Sequence, residues 1–231
     1  MNSNLIVSTH QPSFLPWFGL MYKIKHSDVF VFLDDVQFNA RSFQHRAYYS
    51  ANNKKFFLTL YIDKKNLNEK KLKINQITLK KETQNEIYKK LFDRYHLCPG
   101  WKSLEHVFEE AFLRPKYKLI DIIYPIFNQC LKIFNIKTKI YKSSEFNFTK
   151  RKSQLMLEIT KHFNGKTYIS GSGGKNYLNE DEFKRNDVKI QYLSFKHPNY
   201  KQRNCNLFIE GCFALEWYLE NPNDCINFFK D

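Results

Sequence analysis

LIVSTHQPSFLPWFGLMYKIKHSDVFVFLDD, residues 5–35, is the stretch whose reading decides the fold. LIVS at 5–8 and VFVFL at 29–33 are short unbroken apolar runs rich in β-branched and aromatic residues. That pattern belongs to strands buried on both faces of a parallel sheet. Between them Pro16 can open a helix at no cost, because its missing N–H falls in the unbonded first turn, and FGLMYKIK continues it. The unit is strand, crossover, strand. The first run leads into His10–Gln11–Pro12 and the second ends at Asp34–Asp35. Titratable groups therefore stand at predicted strand carboxyl ends, where open parallel sheets bind their ligands.

The same logic extends along the chain. FFLTLYI at 56–62 reads as a strand after a turn at Asn52–Asn53. Residues 64–81, rich in lysine and asparagine and without period, read as a solvated connection carrying at most a short strand, and as the boundary of an insert. A largely helical segment follows at about 82–135. Ile87, Leu91 and Tyr95 share one face; Leu104, Val107, Phe108, Ala111 and Phe112 form a stripe after a Ser103 N-cap. Ile122, Ile123, Ile126, Phe127, Cys130, Leu131 and Phe134 form a third, with Pro125 marking a kink or a late start. KIY at 139–141 reads as a strand, and 153–163 as a helix stopped by Asn164–Gly165. TYISG at 167–171 and VKIQYLSF at 188–195 read as further strands. The expected fold is α/β, a mainly parallel sheet with flanking helices and a helical middle segment, in a single domain over 1–231.

At 231 residues the chain can bury a core without staples. Its five cysteines are odd in number and lack C-x-x-C pairing or zinc-ligand spacing with the histidines, so free thiols in a reducing compartment are expected and no metal. MNSNLIVSTH is no secretory h-region, and no apolar run nears the roughly 18 residues of a membrane span, which makes the expected location cytoplasmic. The formal net charge of +14 suits acidic partners: nucleic acid, nucleotide-linked sugars, an acidic carrier protein or an anionic membrane surface. The lysines are dispersed along the whole chain, not gathered in a patch.

His10 is the candidate general base, since imidazole titrates near neutrality; the alternative is a histidine bracing the next loop. Asp34 and Asp35 point to opposite faces if the strand continues, so one can orient His10 or bind a substrate ammonium while the other caps a turn. Divalent metal binding by the pair is the other alternative, of which two adjacent aspartates are a weak signal. Ser170-Gly171-Ser172-Gly173-Gly174-Lys175 offers backbone N–H groups and an ammonium to an anion, without the spacing of a phosphate-binding Walker loop; a plain tight turn is the alternative. Arg41, His45 and Arg46 suit phosphate or carboxylate contact, or a solvated face. His197, Tyr200 and Gln202 belong to a polar, aromatic loop that covers a sugar or base, or only the sheet. No serine-hydrolase elbow, zinc-protease pair or dinucleotide glycine motif is present.

STHQPSFLPWFGLMYKI, SDVFVFLDDVQFNARSFQHR and KSQLMLEITKHFNGKTYISGSGGKNYL together resemble the WbqC-like protein family, in the same order, from residue 5 to about 200. The tail FIEGCFALEWYLENP is only loosely similar. The resemblance implies a role in O-antigen and other surface-polysaccharide biosynthesis. It further implies transfer of an acyl or aminoacyl group, such as glycyl, to the amino group of a sugar. His10 matches the family's leading histidine, with Gln11 beside it; Asp34–Asp35 match its acidic pair, Arg46 its basic position, and Ser170 to Lys175 its glycine loop, followed by Tyr177.

Two functions compete. The first is an N-acyl or aminoacyl transferase acting on a nucleotide-linked amino sugar, with no bound cofactor and a thioester donor, either coenzyme A or an acyl or aminoacyl carrier protein. The second is a non-enzymatic basic protein that binds nucleic acid or a polysaccharide assembly complex. A nucleotidyl transferase is a third and lesser reading, because Ser13 stands where an H-x-x-H motif needs histidine.

Overall fold

The computed structural model describes residues 4–63, 65–66, 71–80 and 83–228. Contacts divide the chain into two compact units, one comprising Met1–Gln11, Tyr22–Asp35 and Ile136–Lys196, the other Pro12–Met21, Val36–Asn135 and His197–Asp231.

The first unit is built on a five-stranded parallel sheet: β1 (Leu5–His10), β2 (Val29–Phe32), β5 (Lys139–Lys142), β6 (Gly165–Ser170) and β7 (Lys189–Tyr192). Its order is β5-β2-β1-β6-β7. All four residues of β2 are buried, as an all-apolar strand requires. Register pairs Val7 with Val29 and with Tyr168. The chain lays β2 and β5 on one side of β1, then returns to lay β6 and β7 on the other, so the strand order reverses between β1 and β6. The crossover into β2 is α1 (Phe18–Lys25), shorter at its start than the position of Pro16 predicts. Helix α5 (Lys152–His162) leads into β6, with Asn164 taking the left-handed position (φ 54°) that ends it. Helix α6 (Glu180–Arg185) precedes β7 and is capped by the Asn179 side chain.

The second unit holds a hairpin of β3 (Arg46–Ala51) and β4 (Lys54–Thr59). Asn52 and Asn53, both at positive φ (49° and 59°), form its two-residue turn. The strand expected at 56–62 thus begins and ends earlier, because so tight a turn lets pairing resume at once. Helices α2 (Gln84–Tyr95), α3 (Trp101–Phe112) and α4 (Leu119–Ile133) form the helical middle segment. The residue at 82 lies outside the described residues, as do parts of 64–81.

Three details differ from expectation. Ser103 lies inside α3, not at its cap. The chain enters the helix at Trp101 because Gly100 is pressed against another segment, where a Cβ would stand 2.4 Å from the Tyr218 carbonyl oxygen. Pro125 lies within α4, which already starts at Leu119, so a late start is excluded. Residues 71–80 are also not a solvated connection. Ile74, Ile77 and Leu79 are buried, and isolated bridges tie Lys73 to Gln37, Leu79 to Ile62 and Thr78 to Lys118.

After the loop at His197–Gly211, α7 (Ala214–Glu220) and α8 (Pro222–Phe228) close the second unit. Glu216 is fully buried there. Its carboxylate accepts from Ser50 N and Oγ, Tyr95 OH, Tyr200 OH and Gln202 Nε2 at 2.5–2.9 Å. Five donors compensate a buried charge and knit four segments together. All five cysteines are free. Among the described residues no helix is long and apolar enough to cross a membrane.

Candidate functional site

In the first unit the carboxyl ends of β1, β2 and β6 carry most of the residues singled out from sequence. His10 closes β1. Its Nδ1 lies 2.6 Å from the Gln11 carbonyl oxygen, so that nitrogen carries the proton and Nε2 is the basic position of the neutral ring. Burial, then the Lys23 ammonium, lower the His10 pKa from 6.5 to about 3. The ring is neutral throughout the physiological range.

Lys23 was read from sequence only as part of a helix. It is 7% exposed, and its Nζ donates to the Thr9 carbonyl oxygen at 2.9 Å. Burial lowers its pKa from 10.5 to about 8. Among the described residues no carboxylate pairs with it. Helical spacing gave one signal: Lys23 shares a face with Leu20 and Ser27, three before and four after it, and both are buried.

Asp34 and Asp35 do not alternate across the sheet, because β2 stops at Phe32 and both fall in the following turn. They meet the short 3₁₀ turn Ser143–Glu145 that follows β5. Asp34, 2% exposed, accepts from Ser144 N at 3.0 Å, Ser144 Oγ at 2.8 Å and Ser143 Oγ at 3.3 Å; Asp35 also accepts from Ser143 Oγ. Asp34 therefore pins the ends of β2 and β5 to each other, and Asp35 is the more exposed of the pair. Among the described residues no three His, Cys, Asp or Glu gather as a metal site.

The glycine loop follows β6 as a 3₁₀ turn over Ser172–Asn176. Gly174 packs so tightly that a Cβ would sit 2.0 Å from Ser170 Oγ, whereas a Cβ at Gly171 or Gly173 would meet nothing within 4 Å. The space over those two is open. Lys175 Nζ lies 5.3 Å from the centre of the Tyr192 ring, at the end of β7. Ser170 Oγ donates to the Gly171 carbonyl oxygen at 3.1 Å, and Tyr168 OH lies 2.9 Å from Thr9 Oγ1. That pair of hydroxyls, Tyr168 and Thr9, links β6 to β1.

The remaining predicted residues belong to the second unit. His45 has both ring nitrogens 2.9 Å from main-chain oxygens, Nδ1 to Leu60 and Nε2 to Ala40, so it braces the entry to β3. Arg46 donates to the Arg41 carbonyl at 2.5 Å, and its guanidinium lies 4.6 Å from the Phe57 ring centre. Lys55 stands over Tyr48 at 4.9 Å. Arg41 itself is exposed. His197 sits among Phe18, Tyr200 and Phe208, with Nδ1 2.8 Å from the Pro198 oxygen, and burial lowers its pKa.

Comparison with known proteins adds identity without chemistry. No solved structure matches the chain. The curated protein described as "Uncharacterized protein Rv1507c" of Mycobacterium tuberculosis is 17% identical over 198 residues, 85% of either chain. The model of the WbqC-like protein family matches residues 11–224, beginning immediately after His10, and the chain belongs to that family.

Proposed function

We propose that this protein is an N-acyl or aminoacyl transferase of bacterial surface-polysaccharide (O-antigen) biosynthesis. It would place a group such as glycyl on the amino nitrogen of a nucleotide-linked amino sugar. The observation that carries this reading is the end of β1, where a neutral imidazole with its Nδ1 proton held by Gln11 stands next to a buried ammonium. Membership of the WbqC-like family supports it.

In this reading the sugar amine attacks the carbonyl carbon of a thioester. The C–N bond forms as the C=O electrons move to oxygen, and collapse expels the thiolate. His10 Nε2 takes the proton that nitrogen loses and passes it to the departing sulfur. No nucleophilic cysteine is needed. Asp35 is the carboxylate assigned to the sugar ammonium, since it is the more exposed of the pair. The Gly171–Lys175 loop, at the end of β6, is assigned to the diphosphate. The donor is a thioester of coenzyme A or of an acyl or aminoacyl carrier protein, and the reaction runs in the cytoplasm. A net charge of +14 attracts both an acidic nucleotide sugar and an acidic carrier.

A thermal-shift comparison of nucleotide-linked amino sugars with their non-amino counterparts tests acceptor binding. A ligand at 100 times its Kd adds about 2.7 kcal/mol. Incubation with aminoacyl thioesters and mass spectrometry of the sugar then tests transfer. Equal stabilisation by amino and non-amino sugars, with no mass gain, defeats the reading.

The second reading, a basic binding protein, is favoured by one observation: Arg46 and Lys55 lie over the partly exposed rings of the hairpin. It predicts binding to RNA that collapses with salt and is indifferent to His10.

A further inference from the structure

An isolated ammonium is costly inside a protein, and a methionine would fill the same space without that cost. Lys23 therefore calls for a reason that packing does not supply. Its position offers one. The Ile6 and His10 carbonyls accept from Asp28 N and Leu33 N, so the even-numbered carbonyls of β1 face the β2 side. Successive carbonyls of a strand alternate, so that of Thr9 faces β6. The Lys23 ammonium, bonded to Thr9 O, thus stands at the carboxyl end of the sheet on the side where β1 adjoins β6. That is the reversal in strand order where open parallel sheets take their ligands. At the end of β6 stand Ser170 and the open space over Gly171 and Gly173.

We propose that Lys23 is the charged centre of an oxyanion site between the ends of β1 and β6, taking a phosphate-type oxygen of the bound ligand. The ammonium has three donors, of which the Thr9 carbonyl takes one. An incoming oxyanion supplies the missing countercharge in a site of low dielectric, where such a bond is strong. With its pKa near 8, Lys23 is mostly protonated at neutral pH and ready for that anion. The assignment deepens the transferase reading and rests on it only for the source of the phosphate, a nucleotide-linked sugar.

The test is calorimetric titration of the full chain with inorganic pyrophosphate and, separately, with uridine diphosphate, using wild type, Lys23→Met, Lys23→Gln and Lys175→Met. Both probes bind wild type, and Lys23→Met weakens both at least tenfold, more than Lys175→Met does. A ligand-binding lysine further predicts that the ligand-free Lys23→Met protein melts at the same temperature as wild type or higher. The proposal is overturned if neither probe binds wild type, or if Lys23→Met binds within twofold of it. It is equally overturned if Lys23→Met and Lys23→Gln both lower the melting temperature, since the lysine would then be structural. Preference for uridine diphosphate over pyrophosphate identifies a nucleotide source; equal affinity identifies free phosphates. If Lys23 proves necessary for pyrophosphate but no acyl transfer is found, the site stands and only the transferase reading falls.

Discussion

Lys23 Nζ lies 2.9 Å from the carbonyl oxygen of Thr9, the residue before His10, and its charge is one of the two causes that hold the His10 imidazole neutral. The ammonium and the base are thus electrostatically coupled. Removing the charge in Lys23→Met should raise the His10 pKa from about 3 toward, though not to, 6.5, because burial remains the larger cause. NMR titration of the His10 ring protons measures this directly. Saturating pyrophosphate should shift wild-type His10 in the same direction.

His10 also ties stability to pH. Its folded pKa, about 3, lies below the ordinary 6.5, so between these values the unfolded chain binds the extra proton. The stability it contributes is complete above about pH 6.5 and is lost as pH falls toward 3. Urea midpoints should fall across that window, and the fall should be shallower in His10→Gln. In the transferase assay His10→Ala should lose on the order of 10²–10⁴ in rate. Wild-type turnover would remove His10 from the chemistry.

Asp34→Asn should destabilise the protein by about 1–3 kcal/mol. The buried carboxylate accepts from Ser144 N and two serine hydroxyls, and an amide places a donor where one of these already donates. Asp35→Asn, at the more exposed position, should cost less. Chemical denaturation of both variants checks the order; equal costs would show that Asp34 is not the residue that pins β2 to β5.

Glu216→Ala should be the most damaging single change in the second unit. It strands Tyr95 and Tyr200 hydroxyls and the Ser50 N–H together, each a buried group worth about 1–3 kcal/mol when unpaired. Glu216→Gln keeps most of the acceptors and should lose less. Thermal melts rank the two.

The centre of the sheet was legible because β1 opens on, and β2 consists of, apolar runs bounded by turn residues. Val29–Phe32 cannot be solvated on either face, and Asn164–Gly165 ends α5 where a left-handed residue is needed. The hairpin was half legible: Asn52–Asn53 announced the turn, but β3 (RAYYSA) mixes a charge with half-exposed tyrosines and lacks strict alternation. The Asp34–Asp35 geometry was misjudged because alternation holds only while a strand lasts, and β2 ends two residues earlier. Lys23 was overlooked for a different reason. A lysine in a short helix usually marks the wet face, and only its neighbours at Leu20 and Ser27 reveal otherwise. Glu216 gave no local signal, since its partners come from positions 50, 95, 200 and 202.

The bond from Ser144 N to Asp34 spans 110 positions of the chain. On a ribosome, β2 therefore emerges long before β5, the strand that covers its outer edge. At about 5–20 residues per second, the VFVF segment spends roughly 5–20 s of synthesis with one edge unpaired. Such an edge is a template for association with other nascent chains. Production of this protein should accordingly depend on chaperone supply and suffer when translation through 36–138 is slowed, even where the finished fold is stable.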